Sequence, residues 1–497
     1  MSLTRQVVGG AIWLAAARIG GQVFGLASTI IVARFILPDD YGVFAAAMSI
    51  LMLASVFADL PVSQAIIHLR DIREDDYDTA FTIGLLRGLI VATVMLCLAW
   101  PFAHFMNDDR IAPVTVALGG YIALTGLRNP RMDAFAREMD FSKEALVEVI
   151  AKFASFVAAA IFASILKNYW ALVLSIMAMA AVQVALSYVL RPVSPRLTLA
   201  SFRRLFGYSI WMAGFSVMSQ IYQLIDTMAL GRIRGSAVLG TYSIGSLLSS
   251  RVSDVVALPV SRSLFAAFSS IQAEKERLQR AFLQSMAFMA TMLAPLLLSL
   301  IWFAEPFVLV VLGEKWQSAT VVVQFLALVM VSHIVFTPML AALMGLGHTR
   351  TLFIRSACFV FVYAPVAVLS VVKYGLEGLI IAKAIMILGL TLVDCAIIRH
   401  ALDLGFVRQM KTVMRPVLSA ISMAIVFMLT DGWVPAGAEV IYVGSRLATV
   451  CLAGGVAYGC TLMGVWHLSG QPDGPEKKLI MLFGQGLKRL GPEMFRQ

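Results

Sequence analysis

The side chains able to do chemistry in this chain are charges and amides set inside long apolar runs. Arg18 stands in the first run, and Gln22 follows one helical turn later, on the same face. Ser216, Ser219, Gln220, Gln223 and Asp226 are spaced by three and four and make one polar stripe on an otherwise apolar helix. Arg251 and Asp254 stand three apart further on. Asp59, Arg87, Glu148, Lys152, Lys383 and Asp394 complete the set. A charge in hydrocarbon is costly, so it faces a partner or a watery cavity. Arg18, Gln22, Ser216, Ser219, Gln220, Gln223, Asp226 and Arg251 are therefore candidates to line a cavity. Asp59, Asp254, Lys152 and Arg87 are candidates for ion coupling or charge pairing. Blander roles stay open. Arg18 could snorkel or pair with a carboxylate, the stripe could bond neighbouring helices, and Arg251 could pair with Asp254.

Enzyme chemistry finds no support. The six histidines are scattered, and no HExxH, Walker A, GxSxG or CxxC is present. Gly345-Leu-Gly347 lacks the following glycine of a phosphate loop. No catalytic residue, metal site or cofactor is expected, apart from coupling to protons or sodium. The five cysteines lie in or beside apolar runs and read as small packing residues.

Those side chains must be positioned by membrane helices. Of the 497 residues 60% are hydrophobic and 14% charged, a balance no soluble globular domain has. Mean hydropathy is +0.86. Continuous rather than alternating apolar runs select helices over a barrel, each able to cross ~30 Å of hydrocarbon. Fourteen spans are predicted: 11–34, 41–68, 79–104, 111–127, 144–166, 169–190, 207–230, 237–261, 281–304, 318–345, 356–372, 376–398, 416–433 and 440–468. The first has no cleavage site after it and is expected to stay in the protein. With the N-terminus in the cytoplasm, cytoplasmic segments hold 26 of the 39 Lys and Arg and the opposite side holds 7. That asymmetry puts both termini in the cytoplasm and accounts for the net charge of +10 without nucleic acid.

Residues 12–63 recur at 210–261, shifted by 198 positions without a gap. Ile12-Trp13 meets Ile210-Trp211, Gln22 meets Gln220, Gly42 meets Gly240, and Leu60-Pro61-Val62-Ser63 meets Leu258-Pro259-Val260-Ser261. Six spans separate the copies. Six is even, so both copies enter the membrane from the same side, as parallel repeats. The expected division is an N-lobe over 1–200, a C-lobe over 201–405, two extra helices over 406–470 and a basic tail over 471–497. The tail mixes basic and apolar residues and could lie on the inner leaflet or be disordered. The matched Pro61 and Pro259 are candidate hinges, because proline removes a backbone donor. The fold class expected is all-α: a multi-pass membrane protein of about fourteen helices, in two parallel six-helix lobes plus two C-terminal helices.

Several segments resemble a known family. Ala33-Arg34-Phe-Ile-Leu-Pro38-Asp-Asp-Tyr41-Gly42 resembles the end of the first span in bacterial polysaccharide flippases. Asp226, Gly231-Arg232 and Leu239-Gly240-Thr-Tyr242-Ser243 resemble a second motif of theirs. Glu305-Pro306, Leu312-Gly-Glu-Lys-Trp316, Gly345-Leu-Gly347, Tyr169-Trp170-Ala171-Leu172-Val173 and Arg191-Pro192 also fit, in order, within residues 5–400. The chain thus resembles the polysaccharide transporter (Wzx-type oligosaccharide flippase) family of the multidrug/oligosaccharidyl-lipid/polysaccharide (MOP) exporter superfamily. The resemblance implies two six-helix lobes around a central cavity, working by alternating access. It implies polyprenyl-pyrophosphate-linked oligosaccharide as substrate, moved across the bacterial inner membrane for exopolysaccharide, capsule or lipopolysaccharide assembly. Membrane lipids and polysaccharide assembly proteins are the implied partners. A pyrophosphate would want Arg18, and sugars would want Gln22, Gln220, Gln223 and the serines. A cation-coupled multidrug or lipid exporter of the same superfamily is the alternative, kept open by Asp226 and Asp254. A membrane glycan polymerase or ligase is a weaker one, since it would need a large outer loop.

Overall fold

The computed structural model describes residues 20–21, 24–25, 27–58, 72–137, 141–193, 195–201, 210–430 and 440–470. All regular elements among the described residues are helical. The long ones are α1 (Pro38–Ala58), α2 (Glu74–Met106), α3 (Ile111–Gly126), α4 (Phe141–Leu166), α5 (Trp170–Leu190), α6 (Ile210–Arg234) and α7 (Ser236–Ser270). They continue as α8 (Lys275–Trp302), α9 (Ala319–Met330), α10 (His333–Gly345), α11 (Thr349–Leu402), α12 (Phe406–Leu429) and α13 (Val440–Leu468). Among the described residues, nine helices are long and apolar enough to cross a membrane, or up to ten if the bent pair α9–α10 is one span. The chain is an all-α, multi-pass membrane protein. Each of the fourteen expected spans meets a helix, the first through residues 27–35.

Three local features differ from the simplest reading. The span expected over 318–345 is two helices bent by 46° at residues 331–332. The spans expected over 356–372 and 376–398 follow one another within α11 as two helices that part at Gly375, with no loop between them. Gly375 breaks α11 with φ of +67°, a conformation that costs glycine little because it has no Cβ. The segment after α8 is not an open loop. It folds as a short helix, Ala304–Val311, and a 3-10 turn, Glu314–Trp316, with Trp316 fully buried.

The chain divides into two compact units. The first comprises Met1–Ser243 and Ser356–Leu376, the second Ile244–Arg355 and Glu377–Gln497. In the first, α2 and α3 approach closely because glycines line the crossing. A Cβ at Gly88 would come within 3.0 Å of Ile122 O, and one at Gly126 within 2.7 Å of Gly84 O. Close backbone approach increases van der Waals contact, which replaces the hydrophobic effect as glue between membrane helices. Val32 and Ile36, from the end of the first span, pack on Ala159, Ala163 and Ala171. In the second unit, Phe427 is fully buried, with its ring 4.7 Å from that of Phe303 and flanked by Trp302. Gly454 leaves room for it. The two C-terminal helices α12 and α13 are thereby anchored to α8.

Candidate functional site

The polar stripe expected on the seventh span lies on α6, in the first unit. Its members have different occupations. Ser216 donates to Met212 O at 3.1 Å and Ser219 to Phe215 O at 2.9 Å, so both hydroxyls are turned back onto their own helix. Gln220 is half-buried and Gln223 exposed, and their amides make no hydrogen bond with the described residues. Asp226, at the end of the stripe, is 2% exposed. Its Oδ2 accepts the Tyr242 hydroxyl at 2.6 Å and its Oδ1 the Tyr363 hydroxyl at 2.5 Å.

Tyr363 comes from the first half of α11, and its ring stacks on Phe359 at 5.5 Å and meets Tyr222 at 5.2 Å. Tyr222 precedes Asp226 by one turn. The aromatic group and the carboxylate are thus one built site, joining α6, the start of α7 and α11. Tyr242 and Asp226 both stand in motifs that the sequence brought forward. Tyr363 carried no such signal, because a tyrosine in an apolar run looks like packing. Nearby, Arg234 donates to Val371 O at 2.9 Å and Val372 O at 3.1 Å. It thereby satisfies carbonyls just before the Gly375 break, which the broken helix cannot bond itself.

Lys152 and Glu148 pair at 2.7 Å across one turn of α4. A Cβ at Gly21 would meet the Lys152 side chain, so this pair lies against the first span. Arg87, on α2, is half-buried, and its charge acts on Tyr121. Arg18, Gln22, Asp59 and Pro61 lie outside the described residues. Arg251, Asp254 and Pro259 fall in the second unit. Arg251 is exposed, Asp254 is half-buried, and the charge of the first acts on the second. α7 continues through Pro259 to Ser270.

Two polar pairs of the second unit went unread in the sequence. Arg355 donates through Nε and NH2 to the two oxygens of Asp394, at 2.8 and 2.7 Å, and lies 4.7 Å from the centre of the Phe336 ring. Arg355, which lies between the spans expected over 318–345 and 356–372, is inside α11, with its side chain 11% exposed. Ser253 bonds His333 Nδ1 at 2.7 Å, beside the bend between α9 and α10.

A charged knot joins three segments at helix ends in the first unit. Arg110 NH1 reaches Asp39 at 2.7 Å, and its NH2 and Nε take both oxygens of Asp108, at 2.8 and 2.9 Å. Ser236 donates to Asp108 Oδ2 at 2.6 Å. Burial alone would raise the Asp108 carboxyl. The hydrogen bonds from Arg110 and Ser236, with the Arg110 charge, outweigh it and hold the carboxyl below the ordinary carboxylate range. Bonds to Asp108 and Asp39 push Arg110 above its already high value. A lowered carboxylate stabilises the fold at pH values above its unfolded pKa. That contribution is lost as the pH falls through the folded one.

Comparison with known proteins agrees with this architecture. The lipopolysaccharide biosynthesis protein WzxC of Escherichia coli is 24% identical over 394 residues, covering 76% of this chain and 78% of that protein. The succinoglycan biosynthesis transport protein ExoT of Rhizobium meliloti is 24% identical over 406 residues, covering 80% and 81%. The fold matches that of the lipid II flippase MurJ, inward closed conformation, with a TM-score of 0.73 at 14% identity, over 92% of this chain and 99% of that one. The family described as "Polysaccharide biosynthesis protein" matches residues 31–321, more than half of the sequence. The multi-pass helical fold, the motifs at the ends of the first and seventh spans and this match agree: the chain belongs to the polysaccharide biosynthesis protein family.

Proposed function

We propose that this protein is a flippase that moves polyprenyl-pyrophosphate-linked oligosaccharide from the cytoplasmic to the outer leaflet of a bacterial inner membrane. The observation that carries it is the α6 stripe, where Gln220 and Gln223 hold amides unspent on the described protein. An amide held within a membrane protein and not bonded internally suits a hydroxyl-rich ligand. The names of WzxC, ExoT and MurJ bring in the substrate class: lipopolysaccharide biosynthesis, succinoglycan transport and lipid II flipping. In this reading the repeat copies belong to two lobes that rock in alternation, both termini are cytoplasmic, and Arg18 takes the pyrophosphate. The protein is a transporter rather than an enzyme. The acidic residues are left for coupling to protons or sodium, or for holding arginines.

A gene deletion tests the reading. The deleted strain is expected to accumulate lipid-linked glycan on the cytoplasmic side. Normal surface polysaccharide together with raised drug sensitivity would instead favour the multidrug exporter. A double substitution, Gln220→Ala with Gln223→Ala, is expected to slow glycan export about tenfold. That is the effect of losing one to two hydrogen bonds of ~1 kcal/mol each to the sugars. Export at the parental rate would remove both amides from the substrate path.

A further inference from the structure

The two repeat copies meet at their outer ends in a reciprocal contact. A Cβ on Gly42 would collide with Ser236 O, and a Cβ on Gly240 would collide with Pro38 O. Adding the repeat offset of 198 turns Pro38 into Ser236 and Gly42 into Gly240. Each copy therefore offers its partner the same patch: a glycine one turn into its helix, which meets the carbonyl at the start of the other copy's helix. α1 begins at Pro38 and α7 at Ser236, so the two helix starts touch backbone to backbone.

The knot of Arg110, Asp108, Asp39 and Ser236 sits on this crossing, since Asp39 and Ser236 belong to the same two helix starts. Arg110 and Asp108 come from the turn between α2 and α3. One guanidinium thus ties the start of the first copy's second helix to Asp108, which in turn holds the start of the second copy's. Two properties suit a joint that opens. Glycines without side chains leave little apolar surface to separate. The Arg110 and Asp39 side chains are close to water, 41% and 42% exposed, so solvent can replace the bond between them as it breaks.

We propose that the glycine crossing and the Arg110 knot form one latch, which holds the outer ends of the repeat copies together and parts in every transport cycle. It rests on the flippase reading for its side of the membrane and for the need to open. It adds the residues that close that side.

Two experiments test it, in a variant with the five native cysteines replaced. The first joins the latch covalently, with Asp108→Cys and Ser236→Cys, whose native side-chain oxygens lie 2.6 Å apart. Oxidation is expected to form the disulfide and stop glycan export, and reduction to restore it. Failure to cross-link, or export by the cross-linked protein at the reduced rate, overturns the latch.

The second uses no glycan and so stands apart from the transport reading. Ala46, one turn beyond Gly42 and fully buried, becomes the reporter as Ala46→Cys. A membrane-impermeant maleimide is added to whole cells. Arg110→Ala and Gly240→Ala are each expected to speed its labelling about tenfold, the shift that loss of charge-assisted hydrogen bonds gives to a two-state equilibrium, and Arg110→Lys less. Unchanged labelling in Arg110→Ala, at equal protein level, overturns the latch even if Gly240→Ala does not fold. Faster labelling with intact polysaccharide-independent drug export would keep the latch and discard the glycan substrate.

Discussion

Replacing Arg355 by alanine is expected to cost the folded protein about 3–5 kcal/mol, read as lower thermal stability of the purified protein in detergent. Asp394 is 1% exposed, and Arg355 gives it both oxygens' worth of hydrogen bonds. Alone, the carboxylate would have to keep its charge in a medium of low dielectric or take up a proton. Arg355→Lys is expected to rescue only part of the loss, because an ammonium is a point charge and cannot fork across a carboxylate or lie flat against Phe336. Removing both partners, with Arg355→Met and Asp394→Leu, is expected to be milder than either single change, since no charge is then stranded. If Arg355→Ala lowers stability by less than ~1 kcal/mol, the pair behaves like one on a wet surface and the burial argument fails.

Arg18→Ala is expected to slow glycan export roughly ten- to hundredfold while the protein still inserts, and Arg18→Lys to restore it in part. One charge-assisted hydrogen bond is worth ~1.5–3 kcal/mol, so losing the contact to a pyrophosphate predicts roughly ten- to hundredfold slower transport. Lys152 cannot simply substitute. Its ammonium is committed to Glu148 at 2.7 Å, and its stem already fills the space over Gly21. Lys152→Ala should therefore slow export less than Arg18→Ala. Export assayed in a deletion strain, with protein amounts matched by immunoblot, separates these outcomes. A fully active Arg18→Ala ends the proposed role of this residue.

Hydropathy made the helices legible because lipid leaves the backbone few alternatives. It was weakest where a helix carries a polar stripe. α6 is 25 residues long and covers most of the run expected over 207–230, yet its polar stripe dilutes that run below the hydropathy of the other long helices. The bend at residues 331–332 has no proline or glycine to announce it; Pro338 sits inside the following helix. Pairings between distant segments were not legible at all. Asp394 is visible in the sequence as a lone charge, but Arg355 stands one position before the span expected over 356–372. Only the helix extending back to Thr349 puts it in the membrane protein's interior. Asp226 could be seen, whereas the two tyrosines that hold it come from 16 and 137 positions away.

Gly42 against Ser236 and Gly240 against Pro38 form the pattern of an isologous interface, in which each partner presents the same patch to the other. An ancestor of half this length could have made that contact with a second copy of itself. In such a homodimer a single base change alters both faces of the joint together. Fusion into one chain would release the faces to drift apart. One position is now a proline that starts its helix, and its twin is a serine whose hydroxyl is drawn to Asp108. The joint kept its symmetric backbone and acquired an asymmetric fastening, which a pair of identical chains could not have encoded on one side alone.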